Sequence, residues 1–380
     1  MTAAAKHVRV VGAGPAGLMA ADVLSAGGAS VEIIDHHRQP ARKFLLAGRG
    51  GLNLTHSEDI DLLLSRYGAA RAALEPAIRA FPPEALRRWC EELGIKTFVG
   101  SSGRVFPVGL KASPLLRAWL RRLEQRGVTR RASTQWQGFD EVPTILAMGG
   151  ASWPELGSDA AWVETFRVAG IAVTPLAASN GRQRVTWSEH FVSRFTGAPL
   201  KNVALAAGGV RVRGECMIAA HGIEGGAVYA LSPQLRAAGT VLHIDLKPDV
   251  TEAHVAERLA RPRGKDSRST FLRKALNLSP LAVALMREAG SDNPKQVTLT
   301  LQGPAGIARA ISTAGGVSFE ELTEHLRLKK KPNTWVAGEM LDWDAPTGGY
   351  LLQACFATAR FAAEDCLRQL SATDDQIGTI

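Results

Sequence analysis

The strongest constraint on this chain lies at positions 12–17, Gly12-Ala13-Gly14-Pro15-Ala16-Gly17. The pattern is G-x-G-x-x-G, and its surroundings give it meaning. An apolar strand, His7 to Val11, leads into it. A helix rich in Ala, Leu and Met follows, from about Pro15 to Ser25, and Gly27-Gly28 stops it. A second strand, Ser30 to Asp35, ends in an acid 23 residues after Gly12. Strand, glycine turn, helix and strand in this order predict a βαβ start, with a parallel sheet and helices on its faces. Gly12 permits the tight turn, Gly14 lets the backbone close on a pyrophosphate, and Gly17 lets the helix pack on the strand. The helix N-terminus turns its N–H groups and partial positive charge toward phosphate. The whole turn, including Ala13, Pro15 and Ala16, is thus a candidate dinucleotide site.

Asp35 is placed to accept hydrogen bonds from ribose hydroxyls. A 2′-phosphate would meet its carboxylate, which favours FAD or NAD over NADP. The rest of the chain favours FAD, a long molecule gripped at several chain positions. A second loop rich in Gly, Arg and Asn spans 40–56, and an apolar strand within 141–150 ends in Gly149-Gly150. Near the C-terminus stands another nucleotide-like turn, Val336-Ala337-Gly338-Glu339. Pro346-Thr347-Gly348-Gly349-Tyr350 then opens a helix of about 15 residues. A helix N-terminus aimed at flavin N1 and O2 would stabilise the negative charge of reduced flavin.

The chain is 380 residues long, which sets an expectation of two or three domains. With 46% hydrophobic and 21% charged residues it can bury a large core, so disorder is excluded as its main state. No run of about 18 uncharged apolar residues occurs, which excludes a membrane-spanning helix. The N-terminus reads as the first strand rather than a secretory signal. Cys90, Cys216, Cys355 and Cys366 form no C-x-x-C pair and no zinc spacing. They read as small buried hydrophobes in a reducing cytoplasm, and no metal site is expected.

Helices are expected over 60–98, with Pro82-Pro83 opening the second, and a basic amphipathic helix over 113–126. A mostly β section follows over 197–245, helices over 250–290, and strand, glycine turn and helix over 333–366. The last ten residues read as frayed. The layout predicts an α/β fold: an FAD-binding Rossmann domain at 1–178 and 326–380, interrupted at 179–325 by an inserted β-rich and helical domain.

Five stretches carry a resemblance: RKFLLAGRGGLNLTHSE (42–58), GRVFPVGLKAS (103–113), LAMGGASWPELGSDAAW (146–162), AISTAGGVSFEEL (310–322) and GEMLDWDAPTGGYLLQACFATAR (338–360). Over nearly its whole length the chain resembles the bacterial NAD(P)/FAD-dependent, aminoacetone-oxidase-like flavoproteins. The resemblance implies a glutathione-reductase-type FAD domain with an inserted β-barrel-like and helical section. It places Arg42 and Lys43 where the chain passes the cofactor. It places Gly48, Arg49, Gly50, Gly51 and Asn53 around the flavin ring, and Glu339 on the ribityl chain. The family often has Arg at the position of Gly51 and Cys at that of Leu52; this chain has neither, so chemistry resting on those side chains is not carried over.

No catalytic acid or base is assigned. Trp343, beside the flavin turn, reads as a pocket wall or a core residue. His221 is a lone histidine in the insertion, weighed as an acid/base and as a merely packed or solvated residue. No Ser/His/Asp set points to hydrolysis. A basic run, Arg258, Arg261, Arg263, Lys265, Arg268, Arg273 and Lys274, and a second cluster, Lys329 to Lys331, accompany a net charge of +9. They fit a nucleic-acid footprint, a solvated face or an anionic-substrate pocket, and no aromatic RNA-reading motif accompanies them.

The leading expectation is an oxidoreductase with non-covalent FAD. Hydride would pass between flavin N5 and a small-molecule substrate or NAD(P)H. No second G-x-G-x-x-G is present, so NAD(P)H would visit the flavin face transiently. The alternatives are an RNA-modifying flavoprotein and a non-catalytic flavin-binding protein. Nothing in the sequence speaks to oligomeric state.

Overall fold

The G-x-G-x-x-G segment folds as its spacing requires. The strand His7–Val11 runs into it and the helix Pro15–Ala26 leaves it, with Pro15 in the first helical turn. The computed structural model describes residues 6–237 and 239–377, the last five of these by backbone alone. Met1 to Ala5 and residues 378–380 therefore lie outside the described residues, and with them the end of the segment expected to fray. The chain forms two compact units, residues 1–177 with 312–380, and residues 178–311.

The first unit is built on a five-stranded parallel sheet. Its strand order is Thr129–Arg131, Ser30–Ile34, His7–Val11, Thr144–Leu146 and Thr334–Val336. Numbered along the chain this is 3-2-1-4-5, the doubly wound order. The order reverses between His7–Val11 and Thr144–Leu146, and ligands of such sheets bind beyond the carboxyl ends of the strands at that switch point. Gly12 follows the first of these strands and Ala147 the second.

The helix Pro15–Ala26 packs against the C-terminal helix Tyr350–Ile377. Gly27 serves this contact, because a Cβ there would lie 2.4 Å from Leu367. The left-handed stop is supplied by Gly28 alone (φ +85°), whose successor Ala29 donates its N–H to the Leu24 carbonyl. The C-terminal helix runs for 28 residues rather than about 15. Its continuation past Phe361 is driven by an apolar stripe, with Ala362, Ala363 and Cys366 wholly buried. A second departure is the short helix Arg42–Ala47 inside the stretch read as loop. Ala41 enters it in a left-handed conformation, pinned by its N–H to the Ala13 carbonyl.

One buried carboxylate ties three helices together. Asp22, on the first helix, accepts from Trp89 Nε1 at 2.7 Å, Arg122 at 2.6 Å and Arg126 at 2.6 Å. All four cysteines are buried free thiols, and burial pushes each up to about 12.

The second unit carries a six-stranded antiparallel sheet. Its longest hairpin joins Pro199–Ala207 to Val210–Ala219 through Gly208-Gly209, both at positive φ, the two-residue turn that matches strand twist. The edges nearly meet. Residues 302–305, just beyond the edge strand Val297–Thr300, exchange hydrogen bonds of 2.9 Å with Arg182 and Arg184 at the opposite edge strand, Gln183–Arg184. This near-closure is the barrel-like character the resemblance implies. Helices Glu252–Leu259, Arg268–Leu276 and Pro280–Glu288 each start from a Ser or Thr cap and bury Val255, Leu272, Leu276 and Leu281 in the core of this unit.

Candidate functional site

The three motif glycines do three different jobs at the switch point. Gly12 sits at φ +99°, and a Cβ there would lie 2.4 Å from the Ala147 carbonyl oxygen. A Cβ on Gly17 would lie 1.8 Å from the Gly12 carbonyl oxygen, so helix and strand touch through it. A Cβ on Gly14 would meet nothing within 4 Å. The first two are required by the fold itself, while Gly14 faces open space. The helix behind it has no side-chain cap, and its first internal bond is Leu18 N to Gly14 O at 2.9 Å. The amides of Ala16 and Gly17 are thus free of helical partners and sit at the positive end of the dipole.

Asp35 lies beside this turn. Its two carboxylate oxygens accept from Ala13 N at 2.6 Å and His37 N at 2.7 Å, which fixes the side chain and leaves lone pairs for hydroxyl donors. Arg42 turns to His37, 3.0 Å from its ring nitrogens. Burial, then the neighbouring charges of His36 and Arg42, hold His37 below its ordinary value, so the ring is neutral at pH 7.

A second group joins four distant chain segments. Lys43 Nζ donates to Ser152 Oγ at 2.5 Å and to Glu339 Oε2 at 2.7 Å. The other oxygen of Glu339 accepts from Thr313 N at 3.0 Å. Thr313 Oγ1 in turn accepts from Ala151 N at 2.9 Å and Ser152 N at 3.2 Å. Gly150 is needed here because a Cβ would lie 2.4 Å from that hydroxyl. Gly149 (φ +76°) faces Ser158, whose buried Oγ has no hydrogen-bond partner. Gly338 packs against Ala16 of the first helix.

The third group surrounds the start of the C-terminal helix. Gly349 (φ +99°) lies on the backbone of Thr55, where a Cβ would sit 2.4 Å away. The first helical bond is Gln353 N to Gly349 O at 3.0 Å, so the amides before it have no helical partner. Asn53 Oδ1 and Thr55 Oγ1 are buried without a partner. Gly348 (φ +142°) packs on the ring of Tyr350.

Tyr350 itself is held by a bracket. Its ring stacks on His56 with centroids 5.5 Å apart, and its hydroxyl donates to Glu58. Glu58 also accepts two bonds from Arg66, at 3.1 and 2.7 Å. Burial, then Glu58, raises the Tyr350 phenol well above its ordinary value, so it stays protonated. Burial by itself would raise Glu58, but the bonds from Arg66 and Tyr350 hold it below its ordinary 4.5. Its stabilising effect is therefore complete above pH 4.5 and fades as pH falls through the lower folded-state value. We predict that Glu58→Gln costs about 1–2 kcal/mol at pH 7. In denaturant titrations the gap to the parent should close below pH 4.5; a gap that widens on acidification contradicts this.

The remaining expected residues lie as follows. Gly48 packs on Ala112 at the start of helix Ala112–Gln125. Arg49 and Gly50 are exposed, and Gly51 (φ +112°) lies against Phe106. Trp343 is a core residue, 4% exposed, with its Nε1 spent on the Gly338 carbonyl. His221 is exposed at a hairpin turn of the second unit. Thr55, Ser152, Ser158, Thr313 and the Glu58–Arg66 pair were not foreseen. Only spacing in three dimensions reveals them.

A doubly wound sheet with a glycine turn and an acid at its switch point, and a barrel-like insertion, defines an FAD-dependent Rossmann-type oxidoreductase. The chain belongs to the HI0933-like family: the family model described as the HI0933-like protein Rossmann domain matches residues 6–365. It is 25% identical to the ribosomal RNA dihydrouridine synthase of Haemophilus influenzae, over 95% of this chain and 98% of that one. It is also 25% identical to the 3-dehydro-bile acid delta(4,6)-reductase of Clostridium scindens, over 94% and 98%. Among solved structures, 3-ketosteroid delta1-dehydrogenase from Sterolibacterium denitrificans shares the fold at 10% identity and a TM-score of 0.50, covering 95% of this chain and 99% of that one. Among the described residues, no helix is long and apolar enough to cross a membrane.

Proposed function

We propose that this protein is an FAD-dependent reductase that saturates a carbon–carbon double bond conjugated to a carbonyl, using NAD(P)H as reductant in the cytoplasm. One observation carries the reaction class. Two relatives of equal similarity are named for unlike substrates, a ribosomal RNA base and a bile acid. Both names describe saturation of a double bond conjugated to a carbonyl.

The chain's own residues fit FAD. The open space at Gly14 and the free amides of Ala16 and Gly17 suit a pyrophosphate, and Asp35 suits ribose hydroxyls. The unpartnered oxygens of Asn53, Thr55 and Ser158 call for donors that a flavin ring or ribityl chain carries. Lys43 and Glu339 hold the Gly149–Ser152 loop in register with residues 313 and 339. The amides at Gly349–Tyr350 favour negative charge. When bound, FAD supplies hydride transfer through N5. The overall reaction consumes one NAD(P)H and one proton, and adds hydride to the β-carbon and the proton to the α-carbon.

The test is product analysis. Anaerobic incubation of the FAD-loaded protein with NADPH and a small cyclic enone should give the saturated ketone in proportion to NADPH consumed. NADPH consumption that needs oxygen and leaves the enone intact would reassign the protein as an oxidase. A second reading is that the double bond belongs to a uracil in RNA. It is favoured by the net charge of +9 and by the Haemophilus influenzae relative.

A further inference from the structure

The chain's positive charge is not spread evenly. The second unit, residues 178–311, holds 18 Lys and Arg against 10 Asp and Glu, a surplus of eight out of the whole chain's nine. The first unit is nearly neutral. Its lysine cluster is used internally: Lys329 donates to the Glu320 carbonyl, Lys330 pairs with Glu321, and Lys331 lies over the Phe139 ring.

In the second unit the surplus gathers on one helical segment. Between Arg258 and Lys274 stand seven basic residues and one acid, Asp266. The helices Glu252–Leu259 and Arg268–Leu276 turn Val255, Leu272 and Leu276 into the core, which leaves Arg261, Arg263, Lys265, Arg268, Arg273 and Lys274 exposed. Arg258 alone works within the protein, bridging to the Ala275 carbonyl at 3.5 Å. Arg261 pairs with Glu257, Arg268 with Asp292 and Lys274 with Asp266, all exposed pairs that solvent already weakens. Arg263, Lys265 and Arg273 have no ion pair among the described residues. Arg263 and Lys265 flank Gly264 (φ +61°), whose turn sends them out into solvent.

We propose that this face, residues 258–274, docks the phosphate backbone of RNA. Guanidinium and ammonium groups spread over a turn and the helix that follows it match a chain of phosphates better than a single small anion. No exposed aromatic accompanies them, so the contact is one of charge and positions RNA without reading its sequence. The proposal rests on the double-bond reductase reading for what the docked RNA undergoes, but its test does not pass through catalysis.

The test is fluorescence anisotropy with a labelled RNA hairpin and the FAD-loaded protein, between about 50 and 200 mM salt. The parent should bind with an affinity that falls steeply with salt. Arg263→Glu, Lys265→Glu and Arg273→Glu together should weaken binding about 100-fold. Their neutral Gln counterparts should lower the log–log salt slope by about 2–3. Arg117→Glu with Arg121→Glu, on the exposed side of the basic helix in the first unit, should leave binding unchanged. Thermal unfolding and flavin content should match the parent in all variants, and the Gln set serves if the Glu set fails to fold. The proposal is overturned if the parent ignores RNA, if the triple variants bind as the parent does, or if only anionic vesicles respond to them. A parent that is reduced by NADPH yet ignores RNA would refute this surface and leave the reductase reading standing.

Discussion

Gly14→Val should sharply weaken FAD retention while leaving the protein folded. The backbone at Gly14 is extended (φ −79°, ψ −177°), which a β-branched residue adopts readily, and the added Cβ meets no protein atom. The side chain would stand in the open space in front of the turn, where it obstructs a ligand closing on it. The expected loss in FAD affinity is at least about 100-fold, or about 3 kcal/mol, with an unchanged melting temperature of the apoprotein. Gly17→Ala makes the contrast. Its methyl would sit 1.8 Å from the Gly12 carbonyl oxygen, so strand and helix must separate. That variant should lose about 3 kcal/mol or more of stability, cofactor or none. Fluorescence titration with FAD, paired with thermal melts of both apoproteins, separates the two roles. A Gly14→Val protein that binds FAD normally would remove the pyrophosphate from this turn.

Asp22→Ala should be strongly destabilising. Its carboxylate is 6% exposed and serves two guanidinium groups and one indole N–H. Removing it leaves Arg122 and Trp89 with donors facing a nearly dry interface. Loss of one partner of a buried ion pair costs about 3–5 kcal/mol, and the partial exposure of Arg126 puts the value here near the lower end. For a unit of this size that is roughly 10 °C in melting temperature. Asp22→Asn, which keeps one acceptor, should cost about half as much. The network also links helix Pro15–Ala26, whose start faces the proposed pyrophosphate, to helices Pro83–Glu92 and Ala112–Gln125. Asp22→Ala should therefore weaken FAD binding as well. A variant with parental melting behaviour would show that the arginines find other partners.

The parts of the site that could be read from the sequence are those whose cause is local. Gly12, Gly14 and Gly17 act within one turn, and Asp35 ends the adjacent strand, so spacing alone placed them. The parallel sheet followed from the strand–turn–helix order, because right-handed crossovers leave few other arrangements. The sequence points to Lys43 and Glu339 one at a time, yet their contact joins residues 296 positions apart, with Ser152 and Thr313 completing it. No periodicity records such a meeting. The Glu58–Arg66–Tyr350 bracket escaped for the same reason. Gly48 and Gly150 read from the sequence as cofactor glycines, and in the fold each also makes room for a neighbour, Ala112 and Thr313. A glycine in a sequence announces close approach without saying to what. The C-terminal helix was read short because polar residues enter its sequence after Ala363, while its buried stripe continues to Cys366. The near-closure of the second unit depends on residues 302–305, which have no strand-like alternation of their own.

The central claim is that one FAD is held, non-covalently, by Gly14, Asp35, Asn53, Thr55, Glu339 and the Gly349–Tyr350 amides. The most direct measurement is an anaerobic absorbance titration of the purified full chain, first with FAD and then with NADPH. The expected result is a flavin spectrum saturating at one FAD per chain, released by acid and bleached by the nicotinamide. Absence of FAD binding at any concentration would contradict it, and so would flavin that stays with the precipitated protein after acid.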